Sequence, residues 1–197
     1  MADPPKADPR RVAILISDRG SNMRALVENA RGYEIVLVAS NRPEAPGVEW
    51  ARSRGLPTWA MDSRGVPREE FDRALSQVLK DHRAGTIALA GYMRILTPAF
   101  VDQWSGRILN IHPSLLPKYR GLDTHARAIA AGDRTSGCTV HLVTQELDSG
   151  EILGSARVPV EPGDTPATLE QRVRSAEHQL YATVLAEFVA SRRSRLP

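Results

Sequence analysis

The sequence is short of the features that define several large classes of protein. It contains a single cysteine, Cys138, which excludes a disulfide framework and predicts a small buried thiol in a reducing compartment, the cytoplasm. The five histidines lack the spacing of a zinc site, so no metal is predicted. No apolar run is long enough to span a bilayer, and residues 1–10 lack the apolar segment of a signal peptide.

A strong excess of charge is absent too. Lys and Arg number 26 and Asp and Glu number 23, which gives a net charge of +3 from dispersed residues. This balance weakly favours small anionic ligands and does not indicate nucleic acid. We therefore expect small-molecule substrates, no nucleic-acid or membrane partner, and a monomer or homodimer.

The length of 197 residues fits one domain, which we assign to residues 11–190. Residues 1–10 are rich in Pro and Asp and predict a disordered lead-in, whereas residues 191–197 predict a frayed basic tail.

Apolar runs alternate with helical patterns over residues 11–130, as Arg11–Ser17 and Thr86–Gly91 illustrate. This alternation predicts a doubly wound α/β fold, with a mostly parallel sheet covered by helices on both faces. Cys138–Thr144 and Ile152–Val160 predict an antiparallel hairpin near the C-terminus, after which a long helix closes the chain.

Asn110 and His112 form the most informative pair. They lie two residues apart in an apolar run, so on a strand they project from the same face. Pro113 ends that strand, and the carboxyl ends of parallel strands are where ligands bind. A buried structural histidine is the usual interpretation of a lone His, but the adjacent carboxamide and the strand-end position favour acyl transfer. His141, in the middle of a strand, we interpret as structural.

Two further segments have both a structural and a functional interpretation. Gly20-Ser21-Asn22 follows the first strand and precedes a helix, so it is either a helix N-cap, through Ser21 or Asn22, or a phosphate site. Residues 146–150 form either a solvated acidic turn or the source of a carboxylate that orients His112. The sequence alone leaves both choices open.

Six motifs in order resemble the folate-dependent formyltransferases, in particular those that formylate glycinamide ribonucleotide. The resemblance covers about residues 11–190. The motifs are Ile16-Ser17-x-x-Gly20-Ser21-Asn22, Ser40-Asn41, Leu89-Ala90-Gly91-Tyr92-Met93-Arg94-Ile95-Leu96, Asn110-Ile111-His112-Pro113-Ser114-Leu115-Leu116-Pro117, Glu146-Leu147-Asp148-x-Gly150 and Glu177-His178-x-x-Tyr181.

The resemblance implies transfer of the formyl group from 10-formyltetrahydrofolate, as cosubstrate, to the amine of N1-(5-phospho-D-ribosyl)glycinamide in purine synthesis. It implies Asn110, His112 and Asp148 as the catalytic residues. The residues implied for the ribonucleotide are Gly20, Ser21, Asn22, Arg68, Asn110 and Glu177. Those implied for the folate are Met93, Arg94, Ile95, Leu96, Thr144, Glu146, Leu147 and Asp148.

Because Met93–Leu96 and Thr144–Asp148 each follow a predicted strand, we expect both at the same edge of the sheet, around the pterin. Three alternatives remain. A formyltetrahydrofolate deformylase has a similar catalytic trio but is expected to carry an N-terminal regulatory domain. Methionyl-tRNA and sugar-nucleotide formyltransferases are expected to carry appended domains. A non-catalytic phosphate-binding module explains Gly20–Asn22 but not Asn110, His112 and Asp148 together.

Overall fold

The computed structural model describes residues 8–193, which are built around one sheet of seven strands in the order β3-β2-β1-β4-β5-β6-β7. The strands are β1 (Arg11–Ile16), β2 (Glu34–Ser40), β3 (Thr58–Ala60), β4 (Thr86–Leu89), β5 (Ile108–His112), β6 (Thr135–Leu142) and β7 (Ile152–Pro159). The helices are α1 (Ser21–Glu28), α2 (Pro46–Ser53), α3 (Arg68–Asp81), α4 (Pro98–Gln103), α5 (Thr124–Ala130) and α6 (Pro166–Arg193).

Strands β1 to β5 are parallel, and helices cover both faces of the sheet. The central strand β1 is apolar throughout Val12–Ile16, and these residues are fully buried, as expected for a strand with a core on each side. One core contains side chains of α1, α2 and α6, and the other contains side chains of α3 and α4. The predicted doubly wound α/β fold is therefore confirmed.

The last two strands reverse the direction of the sheet. Strands β6 and β7 pair antiparallel, which confirms the predicted hairpin, and β6 also pairs antiparallel with β5. In that register Asn110 lies opposite His141, and His112 lies opposite Thr139. Tyr181 of α6 packs against the adjacent strands β4 and β5. Its buried hydroxyl lies 3.2 Å from the Leu89 carbonyl oxygen and 3.1 Å from the Leu109 carbonyl oxygen.

The chain ends differ in part from the expected lead-in and tail. Asp8 and Pro9 belong to a turn that packs on the sheet, because the Thr86 hydroxyl donates to the Pro9 carbonyl at 2.7 Å and the Arg11 N–H donates to the Asp8 carbonyl at 3.0 Å. At the other end, α6 continues to Arg193. Residues 1–7 and 194–197 of the expected lead-in and tail lie outside the described residues. The division into one domain with two flanking segments stays a prediction.

Candidate active site

The strand β5 presents Asn110 and His112 as the sequence predicts. The strand ends at His112, and Pro113 follows it. His112 is buried, whereas Asn110 is partly exposed. Their spacing of two places both side chains on one face of the strand, and a side chain from the 143–151 loop reaches His112 there.

That side chain is Asp148. Its Oδ2 lies 3.4 Å from His112 Nδ1 and accepts a hydrogen bond of 2.9 Å from the Gly121 N–H. Asp148 has a positive φ of 49°, a conformation uncommon outside glycine, which turns its carboxylate inward from the loop. The structure therefore brings together Asn110, His112 and Asp148, which are separated by up to 38 residues in the chain.

The contacts of His112 place an acceptor beside each of its ring nitrogens. Its Nε2 lies 2.9 Å from the Tyr119 carbonyl oxygen, and its Nδ1 faces the Asp148 carboxylate. Both partners are acceptors only, so each ring nitrogen must carry a hydrogen to bond its partner. The imidazolium form satisfies both contacts at once, and the neutral ring satisfies one.

His141 is the residue of this site that the sequence analysis missed. We expected it to be structural, but its Nε2 lies 3.6 Å from Asp148 Oδ1 and 3.2 Å from Asn110 Nδ2. Its Nδ1 lies 2.9 Å from the Leu142 carbonyl oxygen. The signal that could have found it is the strand register: an antiparallel neighbour of β5 places His141 directly opposite Asn110.

Two opposing effects set the pKa of Asp148. Burial acts to raise it, but the close contact with His141, the hydrogen bond from the Gly121 N–H and the charges of His112 and His141 outweigh burial. The net result is a pKa below the ordinary value of 3.8, so the carboxylate is ionised at neutral pH. A buried anion next to His112 stabilises the positive charge of the imidazolium.

The loop between β1 and α1 forms a second part of the site. Gly20 stands at the N-cap position of α1 with a left-handed φ of 66°, and no side chain caps the helix. The N-cap interpretation of Ser21 and Asn22 is therefore wrong, and the first N–H groups of α1 lack a side-chain partner. Asn22 Nδ2 instead donates to Glu177 Oε2 of α6 at 2.8 Å.

Burial raises the pKa of Glu177 above the ordinary value of 4.5, although the bond from Asn22 opposes this rise. Two residues of the set implied for the ribonucleotide are thus in contact. Arg68, of the same set, is the exposed first residue of α3, a different helix from those that carry Asn22 and Glu177.

The segment after β4 combines a fixed backbone with exposed apolar side chains. Met93 and Ile95 are each 64% exposed, whereas Leu96 is buried. The Arg94 guanidinium donates to the carbonyl oxygens of Ser63 at 3.3 Å and Val66 at 3.1 Å, so its charge is turned toward the loop before α3. Exposed apolar side chains beside a polar site are suited to covering a flat ring system.

The second segment implied for the folate follows a different path from the one expected. Leu142 of β6 pairs with Leu109, and the Val143 N–H bonds the Ile108 carbonyl, so Thr144–Asp148 begins beside the amino end of β5. The segment therefore does not start at the sheet edge where Met93–Leu96 follows β4, because β6 is antiparallel to β5. The loop then returns far enough for Asp148 to reach His112.

The side chains of this returning loop differ in their surroundings. Glu146 is paired with Arg120 at 3.0 Å, and its backbone carbonyl accepts hydrogen bonds from the Thr144 and Ser149 hydroxyls. Leu147 is 57% exposed. The loop therefore carries one inward carboxylate and one outward apolar side chain on consecutive residues.

Along residues 8–193 no helix is both long and apolar enough to cross a membrane, and no group of three or more His, Cys, Asp or Glu side chains is placed to hold a metal ion. The polar centre of the site consists of a carboxamide, an imidazole and a buried carboxylate at the end of a strand. Such a set stabilises a developing oxyanion and transfers protons, which defines a group-transfer enzyme of the acyl type.

Comparison with known proteins narrows that class, and residues 10–185 match the formyl transferase family, to which this chain therefore belongs. The chain is 45% identical over 186 residues to the trifunctional purine biosynthetic protein adenosine-3 of Gallus gallus, which covers 92% of this chain and 18% of that protein. It is 41% identical to phosphoribosylglycinamide formyltransferase of Escherichia coli strain K12, over 92% of this chain and 88% of that protein.

Solved structures agree with this assignment. The crystal structure of phosphoribosylglycinamide formyltransferase from Brucella melitensis superposes with a TM-score of 0.86 at 46% identity, covering 91% of this chain and 95% of that chain. The chain spans less than a fifth of the length of the trifunctional relatives.

Proposed function

We propose that this protein transfers the formyl group of 10-formyltetrahydrofolate to the amine of glycinamide ribonucleotide in purine synthesis. The products are formylglycinamide ribonucleotide and tetrahydrofolate. The observation that carries the proposal is the contact of Asp148 with His112 beside Asn110. The names of the relatives from Escherichia coli and Brucella melitensis support the same substrate.

The oxyanion of the reaction has two donors in this site. The amine attacks the formyl carbon, and the carbonyl oxygen becomes negative in the tetrahedral intermediate. An N–H of Asn110 and the Nε2–H of His112 stabilise that oxygen, each contributing roughly 10²–10³ in rate. His112 Nε2 now bonds the neutral Tyr119 carbonyl at 2.9 Å, and an anionic oxygen is a stronger acceptor that replaces it.

Asp148 has two functions in this mechanism. Its Oδ2 pairs with Nδ1 of His112 at 3.4 Å, which orients the ring and stabilises its protonated form. It also relays, through water, the proton that the attacking nitrogen loses to the leaving folate nitrogen, so the proton count balances. One C–N bond forms and one breaks, so the transfer needs no oxidant or reductant.

The remaining residues implied by the family resemblance bind the two substrates. The free N–H groups at Gly20, Ser21 and Asn22 bind the phosphate, helped by the positive end of the α1 dipole. Glu177 and Arg68 contact the rest of the ribonucleotide. Exposed apolar side chains, led by Met93 and Ile95, cover the pterin of the cosubstrate, with the returning loop Thr144–Asp148 opposite.

The test is a formylation assay with glycinamide ribonucleotide and 10-formyltetrahydrofolate, with both products measured. Equal amounts of formylated ribonucleotide and tetrahydrofolate support the proposal. Release of tetrahydrofolate with formate, and without formylated ribonucleotide, identifies the deformylase alternative. We further propose that the protein acts in the cytoplasm as a monomer or homodimer, without a nucleic-acid partner.

A further inference from the structure

A buried serine lies between the two loops that the proposed function assigns to different substrates. Ser17 directly follows β1 and is 1% exposed. Its hydroxyl accepts a hydrogen bond of 2.7 Å from the Met93 N–H and donates one of 2.6 Å to Asn41 Oδ1. One small side chain thus joins the carboxyl ends of β1 and β2 to the segment after β4.

The connection continues beyond Asn41 and returns to its starting point. Asn41 Nδ2 donates to the Ser63 hydroxyl at 3.2 Å, and the Ser63 N–H donates to the Asn41 carbonyl at 3.2 Å. The Ser63 carbonyl then accepts from the Arg94 guanidinium at 3.3 Å. Because Arg94 is the neighbour of Met93 in the chain, these bonds form a closed ring of polar contacts under the substrate loops.

The position of Ser17 in the chain links this ring of contacts to both proposed substrate loops. Its backbone leads directly into residues 18–22, the proposed phosphate loop. Its side chain holds the first residue of Met93–Leu96, the proposed folate segment. The far end of that segment is held separately, because the Thr97 N–H donates to Asp72 Oδ2 at 2.7 Å. Ser17 is therefore the point at which the two proposed substrate loops are joined.

We propose that Ser17 is a positioning residue of formyl transfer, whose hydroxyl holds the folate segment at a fixed distance from the phosphate loop. This inference rests on the proposed function. The attacking amine and the formyl carbon are carried by different substrates, and small errors in their relative position reduce the rate strongly. Ser17 does not touch either reacting atom.

Removal of the Ser17 hydroxyl is expected to disturb the proposed folate segment more than the proposed phosphate loop. In Ser17→Ala the Met93 N–H and the buried Asn41 Oδ1 both lose their partner, and a buried group left unpaired costs considerably more than the bond itself was worth. The segment after β4 escapes this cost by shifting outward to reach water. The backbone of residues 18–22 keeps its own contacts, so we expect folate binding and kcat to suffer and ribonucleotide binding to be retained.

The test compares Ser17→Ala with Ser76→Ala. Ser76 is also buried, and its hydroxyl also makes two hydrogen bonds, accepting from Trp104 Nε1 at 3.1 Å and donating to Gln103 Oε1 at 2.7 Å, on α3 outside the site. We expect Ser17→Ala to raise the KM for formyl folate about tenfold or more and to lower kcat, with the ribonucleotide KM near that of wild type. Ser76→Ala is expected to change neither KM.

The contrary result is an equal change in both KM values, or the same change in Ser76→Ala, either of which overturns the positioning role. If Ser17→Ala does not fold, Asn41→Ala removes the acceptor of the Ser17 hydroxyl and must shift the folate KM in the same direction. Folate-analogue binding, followed by fluorescence, is measured alongside turnover. A wild type that binds the analogue without formylating the ribonucleotide contradicts the proposed function, whereas unchanged analogue affinity in Ser17→Ala contradicts this inference.

Discussion

Asp148 contacts both histidines of the site from a single carboxylate. Its Oδ2 faces His112 and its Oδ1 faces His141, at 3.4 and 3.6 Å. The carboxylate also accepts the Gly121 N–H, so every partner around it favours the ionised form. Neighbouring donors thus keep this charge stable in a buried place, and the site depends on that charge.

The first prediction concerns this charge. We expect Asp148→Asn to lower kcat by about 10²-fold or more, because the neutral carboxamide neither stabilises the imidazolium of His112 nor accepts a proton. The KM for glycinamide ribonucleotide should stay near that of wild type, since Asp148 lies outside the Asn22–Glu177 pair. Steady-state kinetics decides the matter, and a kcat close to that of wild type removes Asp148 from the mechanism.

The second prediction concerns His141. Substitution by Leu leaves Asp148 Oδ1 and Asn110 Nδ2 without this partner, so both groups lose their fixed orientation. We expect His141→Leu to lower kcat about tenfold or more while both KM values change little. His82→Leu, at the partly buried end of α3, is the matched control. Equal kcat in the two variants means that His141 only fills space.

At the residue scale, the sequence predicted single side chains better than their contacts. Asn110 and His112 follow from spacing alone, because a strand has a period of two. Asp148 was tied to them only through the family resemblance. His141 and the Tyr119 carbonyl were missed, since both depend on how β6 pairs with β5 and on how the loop after His112 folds.

At the scale of elements, the proposed phosphate loop leads into α1, which contacts α6 where Asn22 donates to Glu177. Glu177 is 8% exposed on α6, and burial raises its pKa above 4.5. A buried carboxylate that is ionised at neutral pH costs the folded state free energy. A carboxylate buried at such a free-energy cost, as Glu177 is, is a candidate for substrate binding.

The third prediction follows from the sign of that pKa shift. Because the folded-state pKa of Glu177 is raised, the folded protein loses stability as pH rises from 4.5 through that higher pKa. Glu177→Gln keeps an acceptor for Asn22 and removes the charge. We expect its Tm to exceed that of wild type at pH 7, and the difference to disappear below pH 4.5.

Kinetics of the same variant separates stability from binding. Loss of the charged acceptor is expected to raise the KM for the ribonucleotide about tenfold and to leave the folate KM unchanged. A Glu177→Gln protein that is less stable than wild type at pH 7 contradicts the electrostatic interpretation. An unchanged ribonucleotide KM contradicts the binding role.

The elements themselves were largely predictable, and their directions were not. Buried apolar runs identified strands, and the hairpin β6–β7 was expected from Cys138–Thr144 and Ile152–Val160. The start of Thr144–Asp148 was predicted at the wrong end of the sheet, because an apolar run does not reveal whether its strand is parallel or antiparallel to its neighbour. That direction is fixed by long-range pairing, here between Leu109 and Leu142.

At the scale of the whole molecule, α6 contacts both the first turn of α1 and the strands β4 and β5. It carries Glu177, and one turn later it carries Tyr181, which is fully buried beneath β4 and β5. The Tyr181 hydroxyl lies close to the carbonyl oxygens of Leu89, which ends β4 ahead of the proposed folate segment, and of Leu109, which precedes Asn110. Burial raises the pKa of Tyr181 well above 10.0, so the hydroxyl stays a donor at any pH of interest.

The fourth prediction is that Tyr181→Phe lowers the free energy of unfolding by about 1–3 kcal/mol, because the single buried O–H donor that the Leu89 and Leu109 carbonyls share is lost. We expect kcat to change little, since the ring keeps its place in the core. Thermal unfolding and steady-state kinetics are the measurements. Phe188→Leu, in the same helix and core, serves as a control for packing. A stable Tyr181→Phe protein with reduced kcat instead assigns the hydroxyl to the reaction.

The most direct test of the central claim is the stoichiometry of the reaction in the wild type and in Asp148→Asn. With both substrates present, the account predicts one formylglycinamide ribonucleotide for each tetrahydrofolate in the wild type, identified by mass, and a strongly reduced rate of both in the variant. Tetrahydrofolate formed with formate alone, or equal rates in the two proteins, contradicts it.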